Sequence, residues 1–107
     1  MMSKSLITIG DKMSKLKRKP TSPGEILNEE FLQPLGMTQK ELAEHLNVDI
    51  KVINRIVNKK SSLTPKMALK LSYAFNTTPN FWLNAQNAVD LYEEEKALTK
   101  VPKKLVG

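Results

Sequence analysis

Between residues 22 and 95 apolar side chains recur at helical spacing, and no stretch alternates with period two for long enough to make a strand. The polar residues between these apolar positions punctuate five predicted helices. Ser22-Pro23-Gly24-Glu25 has the form of a capping box with proline at the first helical position. Ile26, Leu27, Glu30 and Phe31 follow at helical spacing, and Pro34 is expected to stop the segment before a turn at Leu35-Gly36-Met37. Thr38-Gln39-Lys40-Glu41 is a second capping box, opening a helix with Leu42, Ala43 and Leu46 on one face and Asn47 at its left-handed end. Asp49 caps a third helix with Val52, Ile53 and Ile56 inward. Thr64-Pro65 begins a fourth, carrying Met67, Ala68, Leu71 and Phe75. Thr78-Pro79 begins a longer fifth, running through Phe81, Trp82, Leu83, Ala85, Val89 and Tyr92. The predicted fold is all-α, with five helices and no internal repeat.

The second and third helices form the most informative unit. A small residue, Ala43, stands where they cross, Asn47 permits the sharp reversal, and Leu42, Leu46, Val48, Ile53 and Ile56 make the inward face that sets the angle between them. This is a helix-turn-helix pattern, whose second helix is narrow enough to enter the major groove of DNA. Ile50, Lys51, Asn54, Arg55 and Asn58 share its outward face. Arg55 has the donors to pair bidentately with guanine, Asn54 the amide to pair with adenine, and Ile50 the apolar surface to touch a thymine methyl. Lys51, Lys59 and Lys60 are assigned to phosphates, as is Gln39, helped by the first-turn amides of its helix. With Asp49 at the head of the recognition helix, the candidate DNA-binding set is Gln39, Asp49, Ile50, Lys51, Asn54, Arg55, Asn58, Lys59 and Lys60.

Charge sharpens this picture. The 107 residues allow one compact domain, and 17 Lys and Arg against 11 Asp and Glu, a net charge of +6, suggest a polyanionic partner. The basic residues are unevenly placed. Residues 1–21 form a basic leader and 96–107 a basic tail, while the domain at 22–95 is net acidic, with seven bases against ten acids. Within the domain, residues 51–70 hold Lys51, Arg55, Lys59, Lys60, Lys66 and Lys70 and no acid. The tails read as solvated and flexible, and the leader is open to contact with flanking phosphates or with a partner. Asp90, Glu93, Glu94 and Glu95 read as a solvated acidic face.

Composition also excludes. Without cysteine there is no disulfide framework or thiolate metal site, and one histidine, His45, read as a surface residue, makes no imidazole cluster. No metal or cofactor is expected. There is no glycine-rich phosphate loop and no convincing nucleophile and base, so the chain is read as no enzyme. No apolar run spans a membrane and no signal cleavage site follows Leu6–Ile9, so a cytoplasmic protein is expected. Phe75, Phe81 and Trp82 read as core or dimer contact, and Trp82, Leu83, Val89 and Leu91 place the last helix in a two-fold contact.

The pieces Pro23-Gly24-Glu25-Ile26-Leu27, Glu30-Phe31-Leu32, Pro34-Leu35-Gly36, Thr38-Gln39, Leu42-Ala43, Ile53 to Asn58 and Phe81-Trp82-Leu83-Asn84, with Gln86 and Asp90-Leu91, closely resemble HigA-type antitoxins, also called virulence-associated protein I. These are helix-turn-helix proteins of the xenobiotic-response-element, lambda-repressor-like class. The resemblance covers about residues 20–95 and implies a homodimer that binds an inverted-repeat operator in its own promoter. It also implies neutralisation of a HigB-type, RelE-like toxin that cleaves mRNA on the ribosome. The chain departs from the family where Lys59 replaces a common glycine, so Lys59 or Asn58 must take the helix-ending conformation; Ser22, Ile50 and Lys51 also depart. A solitary transcriptional regulator, or a partner-binding protein with incidental DNA affinity, is the competing reading.

Overall fold

The computed structural model describes residues 18–107; most of the basic leader, residues 1–17, lies outside the described residues. The described residues form helices without strands. The first helix, α1 (residues 23–35), is an α-turn over Pro23–Ile26, a π-helical stretch over Leu27–Leu32 and a last turn over Gln33–Leu35. It is followed by α2 (Gln39–Leu46), α3 (Ile50–Val57), α4 (Pro65–Phe75) and α5 (Pro79–Ala97).

Each helix starts where a side-chain oxygen satisfies an orphan first-turn amide. Ser22, Thr38, Asp49, Thr64 and Thr78 accept from the backbone N–H of Glu25, Glu41, Lys51, Met67 and Phe81 respectively. At Ser22 and Thr38 the box is complete, because Glu25 and Glu41 accept in return from the cap N–H groups at 2.9 and 2.8 Å. The Ser22 N–H bond holds the Glu25 carboxyl below its usual pKa against the cost of its burial, with the Ser22 hydroxyl and then Lys59 and Lys19 adding smaller effects in the same direction as the bond.

Pro34 does not stop α1. The helix runs through it to Leu35 and ends at Gly36, which takes the left-handed conformation at φ 65°. A regular turn would drive the Pro34 ring into the carbonyl four residues back. Here the turn just before it is widened, with the Gln33 N–H reaching five residues back to Asn28 O, and the proline is accommodated.

The helices enclose one core built from Leu27, Leu32, Leu42, Ala43, Ile53, Ile56, Leu63, Met67, Ala68, Leu71 and Trp82, with Leu46 at its margin. Phe31 links α1 to the far end of the bundle, with its ring 4.7 Å from Phe75 and 5.4 Å from Trp82. Trp82 is fully buried within its own chain, so it serves the core and leaves the last helix's exposed apolar surface to Phe81 and Leu91. Among the described residues no helix is long and apolar enough to cross a membrane.

Candidate nucleic-acid interface

The recognition helix α3 rests on Ile53 and Ile56, buried to 0% and 3% exposure, which turns its other side to solvent. Ile50, Lys51, Asn54, Arg55 and Asn58 are all exposed there, Ile50 at 44%, and none is covered by another part of the described chain. Asp49 Oδ1 accepts from Lys51 N at 2.8 Å, so this carboxylate holds the head of the helix. Gln39, first residue of α2, lies beside α3: its Oε1 accepts from Asn54 Nδ2 at 3.3 Å. Asn54 Oδ1 in turn accepts from Asn58 Nδ2 at 3.2 Å.

The turn between α2 and α3 is built as the small-residue pattern requires. Asn47 is left-handed at φ 57°, and the Val48 N–H donates to Ala43 O at 2.9 Å across it. Lys70 closes the same end from α4, its Nζ donating to Leu46 O at 2.8 Å. Lys70 therefore contributes to the joint between α2 and α4 rather than to the basic face.

The end of α3 is closed by the residue that stands where the family often has glycine. Asn58 keeps φ −87°, and Lys59 takes the left-handed conformation at φ 60°. The Lys59 N–H donates to Ile56 O at 3.1 Å and the Lys60 N–H to Arg55 O at 2.8 Å, the paired bonds of a Schellman ending. Lys59 Nζ lies 3.9 Å from Glu25 Oε2, a partly exposed pair of little energetic consequence. A side chain in this conformation costs about 1–2 kcal/mol, while glycine loses about 0.5–1 kcal/mol more chain entropy on folding. Lys59→Gly is accordingly expected to raise stability by about 0.5–1 kcal/mol in urea titration while weakening DNA binding through the lost cation; a net destabilisation would show the left-handed strain to be negligible.

One contact at the end of α3 was not visible in the sequence. Gly24, in the first turn of α1, packs directly on the end of α3: a Cβ there would lie 2.0 Å from Ile56 O and 3.0 Å from Val57 Cα. The loop after α3 is anchored on its other side, where the Leu63 N–H donates to Gln86 Oε1 of α5 at 2.9 Å. Its two lysines, Lys59 and Lys60, are exposed beside the α3 face. Among the described residues no group of His, Asp or Glu side chains is placed to hold a metal ion.

A helix-turn-helix family model matches residues 29–82, from α1 to the start of α5. The chain is 45% identical over 94 residues to the antitoxin HigA-1 of Vibrio cholerae, covering 82% of this chain and 89% of that one. It belongs to the HigA-type helix-turn-helix family. An uncharacterized HTH-type transcriptional regulator of Haemophilus influenzae is 50% identical over 80 residues, 75% of each chain. Among solved structures, the Pseudomonas aeruginosa antitoxin HigA with the higBA promoter superposes on this HigA-type chain with a TM-score of 0.72 at 34% identity, over 74% of this chain and 86% of that one. The lambda-repressor-like fold that the resemblance implies is therefore the fold of this HigA-type protein, and the family is one of DNA-binding regulators and antitoxins rather than enzymes.

Proposed function

We propose that the protein is a cytoplasmic, homodimeric repressor of its own operon that reads an inverted-repeat operator and neutralises a HigB-type toxin. The observation that carries the DNA-reading part is the exposed, acid-free face of α3, with Gln39 at its side and the lysines of the following loop at its end. Arg55 reads guanine and Asn54 adenine; Ile50 touches a thymine methyl; Lys51, Lys59, Lys60 and Gln39 meet phosphates; Asp49 and Asn58 set the two ends of the helix. The promoter-bound Pseudomonas relative supports this reading, and the similarity to HigA-1 supports the toxin partner.

Binding to the chain's own promoter and to scrambled duplexes, measured over a range of salt, tests it. Affinity is expected to fall steeply with salt as counterions are released. Arg55→Ala should lower promoter affinity about tenfold or more and relax preference at one base pair, whereas Lys60→Ala should weaken all duplexes alike and reduce the salt slope by about 1. Equal losses on promoter and scrambled DNA for Arg55→Ala would remove the base-reading role. The Haemophilus relative, designated a transcriptional regulator, favours a second reading as a solitary regulator. Co-purification of the chain with the product of an adjacent toxin-like reading frame decides for the antitoxin.

A further inference from the structure

We infer, on the operator-binding reading above, that Gln39 and Asn58 are positioning residues: they fix the orientation of the Asn54 side-chain amide and thereby its choice of base. A primary amide offers two N–H donors and two acceptor lone pairs. Asn54 gives one donor to Gln39 Oε1 at 3.3 Å and accepts once from Asn58 Nδ2 at 3.2 Å. One N–H and one lone pair remain, which is the complement that adenine presents with N7 and N6 in the major groove. An isolated asparagine would be free to exchange these two atoms by rotating its amide. Here two neighbours oppose that exchange, because a turned Asn54 amide would set N–H against N–H at Asn58 and oxygen against oxygen at Gln39.

Gln39 stands at a helix start that is fixed without Asn54, and Asn58 is placed by the backbone of the recognition helix itself. Gln39 is half-buried and follows Thr38 directly, whose reciprocal bonds with Glu41 at 2.8 and 3.0 Å lock the start of α2. Asn58 stands one turn beyond Asn54, with its backbone N–H donating to Asn54 O at 3.0 Å. The relay therefore runs from the end of α3 to the start of α2, and its donors all point the same way. At the α2 end, no partner among the described residues takes the two Gln39 Nε2 hydrogens. A phosphate oxygen can only accept, so a DNA backbone contact there draws Nε2 outward and keeps Oε1 turned to Asn54. A contact without sequence information thus stabilises the orientation that reads sequence.

Selection of a randomised duplex pool by the full chain tests the relay. Wild type is expected to select a site containing one adenine whose preference Asn54→Ala abolishes. Asn58→Asp introduces an acceptor that cannot donate to Asn54 Oδ1 and attracts Nδ2 instead, so preference for that adenine should fall about tenfold while preferences at other base pairs persist. Gln39→Glu keeps the acceptor toward Asn54, so that adenine preference should survive even as affinity for every duplex drops with the loss of two donors near phosphate. Asn54 and Asn58 are exposed and Gln39 is half-buried at a helix start, and thermal melts confirm that each variant folds. Adenine preference unchanged within about twofold in Asn58→Asp, or lost equally in Gln39→Glu, overturns the relay while leaving groove reading intact. A wild-type chain with no adenine preference removable by Asn54→Ala overturns the relay together with adenine reading by Asn54.

Discussion

Trp82→Ala is expected to cost about 3–5 kcal/mol of folding stability, the range for emptying a large aromatic site in a core. A domain of this size has about 4–13 kcal/mol in total, so the variant should be largely unfolded at moderate urea. The reason lies in how little else holds α5 to the body. Of its 19 residues only Trp82 is buried, at 0% exposure. Its ring packs against Phe31 at 5.4 Å and edge-on to Phe81 at 5.1 Å, and its Nε1 donates to Thr77 Oγ1 at 2.7 Å. Removing the side chain leaves a cavity between α1, α4 and α5 that cannot collapse without moving the Phe31 and Phe75 rings. Trp82→Phe keeps much of the apolar volume and loses the indole bond, so it should cost about 1–2 kcal/mol. Urea titration of both variants checks this. A loss under about 1.5 kcal/mol for Trp82→Ala would mean that α5 is held mainly by its half-buried neighbours. The last helix, with Phe81 and Leu91 exposed, is also the element proposed for the two-fold contact, so its detachment should lower dimer mass in sedimentation as well.

What could be read directly from the sequence was whatever depends on neighbours a few residues away. All five caps are local bargains between one oxygen and one amide, so Ser22, Thr38, Asp49, Thr64 and Thr78 were identifiable by type and spacing. The grouping of Ile50, Lys51, Asn54, Arg55 and Asn58 follows from the helical repeat alone. Features that run against a local preference, or that distant segments decide, were less readable. Pro34 is a local stop signal, overridden because a widened turn gives its ring room and Gly36 ends the helix instead. The missing glycine narrows the helix-ending position to Lys59 or Asn58, and the Schellman bonds to Ile56 and Arg55 place it at Lys59. The bond between Gln39 and Asn54, residues 15 apart in the chain, exists only because the crossing of α2 and α3 brings them together. Gly24 looked like part of a capping box, and its second role appears only when α1 is laid against α3.

That second role leads to the sharpest functional expectation. In Gly24→Ala the new methyl would meet Ile56 O at 2.0 Å, Ile56 C at 2.9 Å and Val57 Cα at 3.0 Å. All three are backbone atoms, so no side-chain rotation relieves the overlap, and the head of α1 and the end of α3 must separate. Overpacking of this kind costs about 1–3 kcal/mol, only partly offset by the better helix propensity of alanine. The separation acts on the segment that carries Arg55, Asn58 and the two following lysines. Each well-placed base contact is worth about 1–3 kcal/mol of discrimination, so promoter affinity should drop about tenfold or more at a temperature where the variant is still folded. Affinity for scrambled DNA, which depends on charge alone, should change far less. Gly36→Ala supplies the comparison. Gly36 also resists a side chain, through its φ of 65°, but nothing lies within 4 Å of its would-be Cβ. It should lose about 1–2 kcal/mol of stability by backbone strain with no separate loss of promoter preference. If the two alanine variants, matched for fraction folded, discriminate promoter from scrambled DNA equally well, then the α1 contact serves stability alone and does not aim the recognition helix.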